Sequence, residues 1–297
     1  MVENHFGMNS RPFPPTPDTS LYYPATNHEA ALATLARGIA EDEGILLLSG
    51  VPGTGKTLLG YVLLERLHEG TENAFLSNSH FADRTALLQA ILYDLGLPYE
   101  EDSEQILRLR LTDHLLKNCA DAKRTVLVVD EAHHLSAELL EELRLLANLE
   151  AGRGKAVQVI LIAQPTLAHT LRQPALAALQ QRIAARAIIE PLDVEESYDY
   201  LLHHLRLTGG KREKIFEEAA LDVLAHGARG LPRFLNQTAH QALILAEEAE
   251  LPAVDAEVAL EALSMLGLGA SEPTDETEKL TDNDLTHPNI RDFRRPA

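Results

Sequence analysis

Residues 46–67 read LLLSGVPGTGKTLLGYVLLERL: an apolar run, three glycines and a proline, then a lysine, a threonine and a second apolar stretch at helical spacing. Glycine and proline punctuate a chain and do not fill its elements, so the pattern predicts a buried strand, a tight loop and a helix in direct succession. Gly50-Val51-Pro52-Gly53-Thr54-Gly55-Lys56-Thr57 fits G-x-x-x-x-G-K-[ST], the phosphate-binding loop. Its chemistry follows from the residue types. Glycines let the backbone wrap a polyphosphate with successive N–H groups aimed at its oxygens, and the positive end of the helix that follows faces the same anion. Lys56 reaches the β- and γ-phosphates of ATP, the Thr57 hydroxyl helps to hold Mg²⁺, and Leu58 continues the helix. An ordinary glycine-rich turn would account for the glycines alone and not for the strand before or the helix after.

Outward from this loop, short aliphatic runs recur: GILLLS (44–49), NAFLSN (73–78), RTVLVVDE (124–131), AVQVILIAQ (156–164) and RAIIEPL (186–192). Runs without polar alternation suit strands buried on both faces, so the expectation is an α/β domain over 27–192, a P-loop NTPase parallel sheet flanked by helices. NHEAALATLARGIAED, from Asn27, predicts a helix before the first strand, with Ala30, Leu32, Leu35 and Ile39 apolar. After Pro191 the strand signals stop. Helical patterns follow at about 194–207, 213–226, 231–249 and 254–266, predicting a small all-helical lid over 193–266. Residues 1–26 are expected to be a proline-rich leader, since RPFPPTPD suits neither helix nor central strand. Residues 267–297, polar and acidic, are expected to be a disordered tail.

Two strand tips carry chemistry. VLVVDEAHH ends an apolar run in Asp130 and Glu131: beside a phosphate loop, the first acid suits the Mg²⁺ shell and the second suits polarising a water against the γ-phosphate. The bland alternative is a helix N-terminus decorated with acids. VQVILIAQ ends in Gln164, an amide able to bond the γ-phosphate or the water, unless it only closes a strand before Pro165. The pairs His133/His134 and His203/His204 read as packing and solvent residues, because adjacent side chains on a helix diverge by about 100°. Arg182 and Arg186 precede the last strand and Arg233 opens a lid helix. On residue type alone these arginines face solvent. The letters DEAH also occur in nucleic-acid helicases, which need two tandem motor domains, and here one strand-rich domain fits.

Composition narrows the class. The chain has 297 residues, 45% hydrophobic, enough for one sizeable domain and an appendage. The single cysteine, Cys119, excludes an internal disulfide framework and a cysteine-built zinc site. No signal peptide and no apolar run of the roughly 20 residues that cross a bilayer is visible, so a soluble, cytoplasmic protein is expected. A net charge of −19 opposes non-specific binding to nucleic acid, although GGKREK (209–214) is a local basic patch.

In their order along the chain, HFGMNSRPFPPTPDTSLYYPATNHEAALATLARGI, SGVPGTGKT, VVDEAHHLS, LIAQPTL, LQQRI and GLPRFLN resemble the AAA+ ATPases, and more narrowly the ExeA/GspA-like group, related to the transposition ATPases of the TnsC and TniB type. The resemblance covers residues 3 to about 265. It implies that Gly50–Thr57 are a Walker A loop, Asp130 and Glu131 the Walker B acids, Gln164 the sensor 1 residue, Arg182 the arginine finger and Arg233 the sensor 2 residue, with His28 near the adenine. It also implies a homo-oligomeric ring or filament with the finger supplied in trans. LIAQP has alanine where the group commonly has glycine. Secretion-linked ExeA-type proteins carry a membrane segment and a peptidoglycan-binding region after the ATPase, and the short acidic tail here gives no support for cell-wall anchoring.

Three functions remain in competition: an ATP-hydrolysing switch that assembles or remodels a protein partner in a secretion or envelope system, an ATP-dependent DNA-bound regulator of transposition type, and a small nucleotide kinase, whose phosphate loop GVPGTGKT also resembles.

Overall fold

The computed structural model describes residues 2–68, 70–100, 103–152 and 154–268. In chain order the first part contains α1 (Val2–Phe6), α2 (Thr26–Ala40), β1 (Ile45–Gly50), α3 (Lys56–Glu65), β2 (Glu72–Leu76), α4 (Arg84–Asp94), α5 (Glu104–Ala120) and β3 (Thr125–Val129). It continues with α6 (Ala137–Leu146), a two-residue-per-strand ribbon of β4 (Glu150–Ala151) and β5 (Gly154–Lys155), then β6 (Gln158–Ala163), α7 (Thr166–Thr170), α8 (Ala177–Arg182) and β7 (Ile183–Ile189). Five strands form one sheet in the order β2-β3-β6-β1-β7, every neighbouring pair parallel.

Parallel strands need crossover helices, and these cover both faces of the sheet. Leu46, Leu48, Val128, Ile160 and Ile162 pack with Leu35 and Ile39 of α2 and with Leu59 and Leu63 of α3. On the other face Leu47, Leu127, Val129 and Leu161 pack with residues of α4, α5 and α6. The central strands β1, β3 and β6 thus have the two buried faces that their aliphatic runs predict. The edge strand β7 does not: its burial alternates, with Arg186 and Ile188 exposed, because only β1 flanks it.

Among the described residues five helices follow the sheet: α9 (Val194–Leu207), α10 (Arg212–Ile215), α11 (Glu218–Gly227), α12 (Pro232–Glu248) and α13 (Ala256–Met265). The pattern over 213–226 predicts one helix, and the structure breaks it at Phe216, which makes a parallel bridge to Val254 and is buried. The seam between sheet and helices is tight. Leu192 N–H donates to Gly230 O at 2.8 Å, and a Cβ on Gly230, at φ +71°, would lie 2.0 Å from Leu192 O.

The first 25 residues differ most from expectation. Their backbone is mostly irregular, yet Val2, Phe6, Met8 and Phe13 belong to the buried core of the helical unit, together with Tyr200, Leu201 and Leu205 of α9. Phe13 stacks on His204 with ring centroids 5.7 Å apart, and Pro12 O bonds His204 Nδ1 at 2.8 Å. His203 Nε2 bonds Tyr22 O at 3.0 Å. Both histidines of α9 therefore anchor the leader. Residues 269–297, which hold nearly all of the expected acidic tail, lie outside the described residues.

Candidate functional site

The loop from Gly50 to Thr57 joins β1 to α3, with Gly53 and Gly55 at φ +88° and +91°, values that a residue with a Cβ rarely adopts. A Cβ on Gly50 would meet Ile189 O at 2.8 Å, so the end of β7 also demands glycine there. Thr54 is buried, and its hydroxyl donates to Val51 O at 2.9 Å. Lys56 opens α3 and is only 6% exposed, its Nζ donating to Val51 O at 2.9 Å. Burial lowers the affinity of this ammonium for its proton, against which Glu131 and Asp130 act as nearby negative charges.

The loop and the tip of β3 meet directly: Thr57 Oγ1 donates to Asp130 Oδ2 at 2.6 Å, the length of a charge-assisted bond. Asp130 also accepts the Glu131 N–H at 2.8 Å. Burial raises the Asp130 pKa, and those two hydrogen bonds oppose the rise. Glu131 sits at φ +52° and ψ +33°, left-handed for a non-glycine residue, a conformation that costs about 1 kcal/mol. Gln164 follows β6. Glu131, Gln164, Lys56, Thr57, Leu58, Pro52, Gly53 and Gly55 all border one cavity of about 450 Å³.

The opposite wall comes from the leader and the helical unit, including Arg11, Phe13, Tyr200, Arg233 and Asn236. Arg233 N–H, in the first turn of α12, donates to Gly53 O at 3.2 Å, so a helix-end donor is satisfied by the phosphate loop itself. The leader's part in the wall has no signal in the prolines of RPFPPTPD. Its cue is the lone Phe13 among them.

The remaining expected site residues lie elsewhere. His28, expected near the adenine, is buried behind the loop with Nε2 bonded to Thr54 O at 2.8 Å, and is not among the residues bordering the cavity. Arg182 is exposed at the end of α8, on the side of Glu150, whose carboxyl is held below its usual range by Lys155 first and Arg182 last. Neither Arg182 nor Arg186 borders the cavity. His133 and His134, expected to diverge, instead fold together with ring centroids 4.1 Å apart, and their Nε2 atoms lie 3.3 and 4.0 Å from Glu131 Oε2. They stand in a short 3₁₀ turn that begins at the left-handed Glu131, which brings the carboxylate back over both rings. Donor atoms of Glu131, His133 and His134 lie within 4.8 Å of one another, close enough to hold a metal ion. Burial, then His134, lowers the His133 pKa and favours the neutral ring.

The donor set fits Mg²⁺ and a triphosphate. A hydroxyl and a carboxylate already in contact are hard oxygen ligands, and a buried lysine with left-handed glycines beside it suits phosphate oxygens.

Comparison with known proteins agrees with this reading of the fold. Residues 39–171 match the family described as AAA domain. General secretion pathway protein A of Aeromonas hydrophila is 40% identical over 247 residues, 83% of this chain and 45% of that protein, so the chain spans less than half of the relative's length. Among solved structures, Cdc6p from Pyrobaculum aerophilum superposes with a TM-score of 0.70 at 18% identity, over 86% of this chain and 72% of that one. Drosophila ORC bound to DNA gives 0.69 at 17% identity, over 91% and 66%. Residues 39–171 are an AAA domain, and the chain built around it shares the P-loop fold of these proteins and is similar over most of its length to general secretion pathway protein A.

Proposed function

We propose that the chain hydrolyses ATP to ADP and phosphate in the cavity between phosphate loop and helical unit, and uses the cycle to assemble or remodel a protein partner in a secretion or envelope system. The observation that carries the chemistry is the Thr57–Asp130 contact, with Lys56 and Glu131 on the same cavity. In this reading Gly50–Leu58 and Lys56 hold the phosphates, Thr57 and Asp130 hold Mg²⁺, and Gln164 and Arg233 bond the terminal phosphate. Mg²⁺ held by Thr57 and Asp130 would neutralise negative charge on the phosphates. Glu131 orients and polarises the attacking water as general base.

Similarity to general secretion pathway protein A supports the secretion setting. No helix among the described residues is long and apolar enough to cross a membrane, which is compatible with the ATP-using part lying in the cytoplasm. The second half of the active site is assigned to a neighbouring copy, with Arg182 as its arginine. The DNA-bound alternative has a shared fold and the small basic patch GGKREK (209–214) on its side, and the net charge of −19 works against it.

The deciding experiment is Glu131→Gln, which keeps shape and removes the base. The variant is expected to bind ATP like wild type while single-turnover hydrolysis falls by about 10² or more. Unchanged turnover would end this assignment. Release of orthophosphate from ATP alone, with no added acceptor, separates hydrolysis from a kinase reaction.

A further inference from the structure

Glu131 and Gln164 follow neighbouring strands and both border the cavity, and the His133 side chain lies between them, 9% exposed. Its Nδ1 is 3.4 Å from the Gln164 backbone nitrogen and its Nε2 is 3.3 Å from Glu131 Oε2. A backbone N–H can only donate. Nδ1 is therefore the acceptor, and the proton of the neutral ring sits on Nε2, the nitrogen that lies 3.3 Å from the carboxylate oxygen.

We propose that His133 is a positioning residue, joining the tip of β6 to the Glu131 carboxylate and holding that carboxylate where it can orient the attacking water. The inference rests on Glu131 being the water-polarising group. Its physical need is plain: the Glu131 side chain is 39% exposed and has three rotatable bonds, so without a restraint its carboxylate samples many orientations. His134, at 4.0 Å from the same oxygen, is beyond hydrogen-bond reach and gives no comparable restraint. A metal ion on Glu131, His133 and His134 would need the lone pair of His133 Nε2. The ring proton would then move to Nδ1 and face the Gln164 N–H, donor against donor.

The test compares ATP affinity and single-turnover hydrolysis in wild type, His133→Ala, His133→Gln, His134→Ala, Glu131→Gln and the Glu131→Gln/His133→Ala double variant. His133→Ala is expected to slow hydrolysis by about 10- to 100-fold, the scale of a catalytic group misplaced by about 1 Å, with ATP affinity within about twofold of wild type. His133→Gln keeps an N–H donor at similar reach and should recover part of the rate. In the Glu131→Gln background, loss of His133 should slow nothing further, because the group it positions is gone. His134→Ala should stay within about twofold of wild type.

Wild-type hydrolysis by His133→Ala, or an equal loss in the Glu131→Gln background, would overturn the proposal. Wild-type turnover by Glu131→Gln itself would instead remove the reading on which the proposal stands. Calorimetric titration with Zn²⁺ provides the last arm: micromolar binding that disappears in both His133→Ala and His134→Ala would make the triad a metal site and overturn the positioning role.

Discussion

Lys56 is a cation only 6% exposed, and burial of an ammonium is tolerable only where oxygens receive its protons. Here the Val51 carbonyl takes one, leaving further donor capacity toward the cavity. Lys56→Ala removes a point charge and its bonds to two phosphates, about 3 kcal/mol, so ATP affinity should fall by about 10². Titration with Mg-ATP measures it directly, and equal affinity in mutant and wild type would show that phosphate is bound elsewhere. Other residues resist reading from letters. The identity of Glu131 as an acid at a strand tip is visible in VVDEAHH, but its left-handed backbone is not, and that conformation is what turns the following histidines onto the carboxylate. His28 is similarly opaque, because its partner is a backbone carbonyl 26 residues away, which no residue pattern announces.

At the scale of elements, the aliphatic runs of β1, β3 and β6 are legible because double-sided burial leaves no room for polar alternation. Edge position is not encoded in a run's own residues, which is why β7 reads as more buried than it is. The leader escapes sequence reading for a related reason: its prolines signal irregular backbone truthfully, and irregular backbone says nothing about whether single side chains such as Phe13 are inserted into a distant core. That insertion makes the leader's docking sensitive to acid. His204 is 4% exposed, and desolvation pushes its pKa down to about 4 from 6.5, with the bond to Pro12 acting the other way. Folding therefore favours the neutral ring. Its stabilising contribution is present above pH 6.5 and is lost as pH falls toward 4, by about 3 kcal/mol in all. Denaturant unfolding of wild type and His204→Gln should show the stability gap closing across that window, whereas a gap independent of pH would mean that His204 is not held neutral by burial.

For the whole molecule, the cavity has a loop wall, a leader wall and a helical wall, but the exposed Arg182 lies off all three. If a neighbouring copy supplies it, activity must rise faster than linearly with protein concentration. Arg182→Ala should lower turnover by about 10³, the low end of arginine-finger effects, while leaving ATP affinity in dilute protein intact. Mixing Arg182→Ala with Glu131→Gln subunits should restore part of the activity, since some junctions then contain both intact groups. Concentration-independent turnover with no recovery on mixing would assign Arg182 to the surface. The leader's docking also has a consequence in time. Pro12 and His204 are 192 residues apart in the chain, and His5 and Leu251 are 246 apart. At about 5–20 residues per second of translation, Phe13 waits roughly 10–40 s after its own synthesis before its ring partner exists. Phe6, Met8 and Phe13 are thus exposed on the nascent chain throughout synthesis of the sheet, the interval in which a trigger-type holdase for apolar segments has most to bind, and the helical unit closes its core only when the earliest residues return to it.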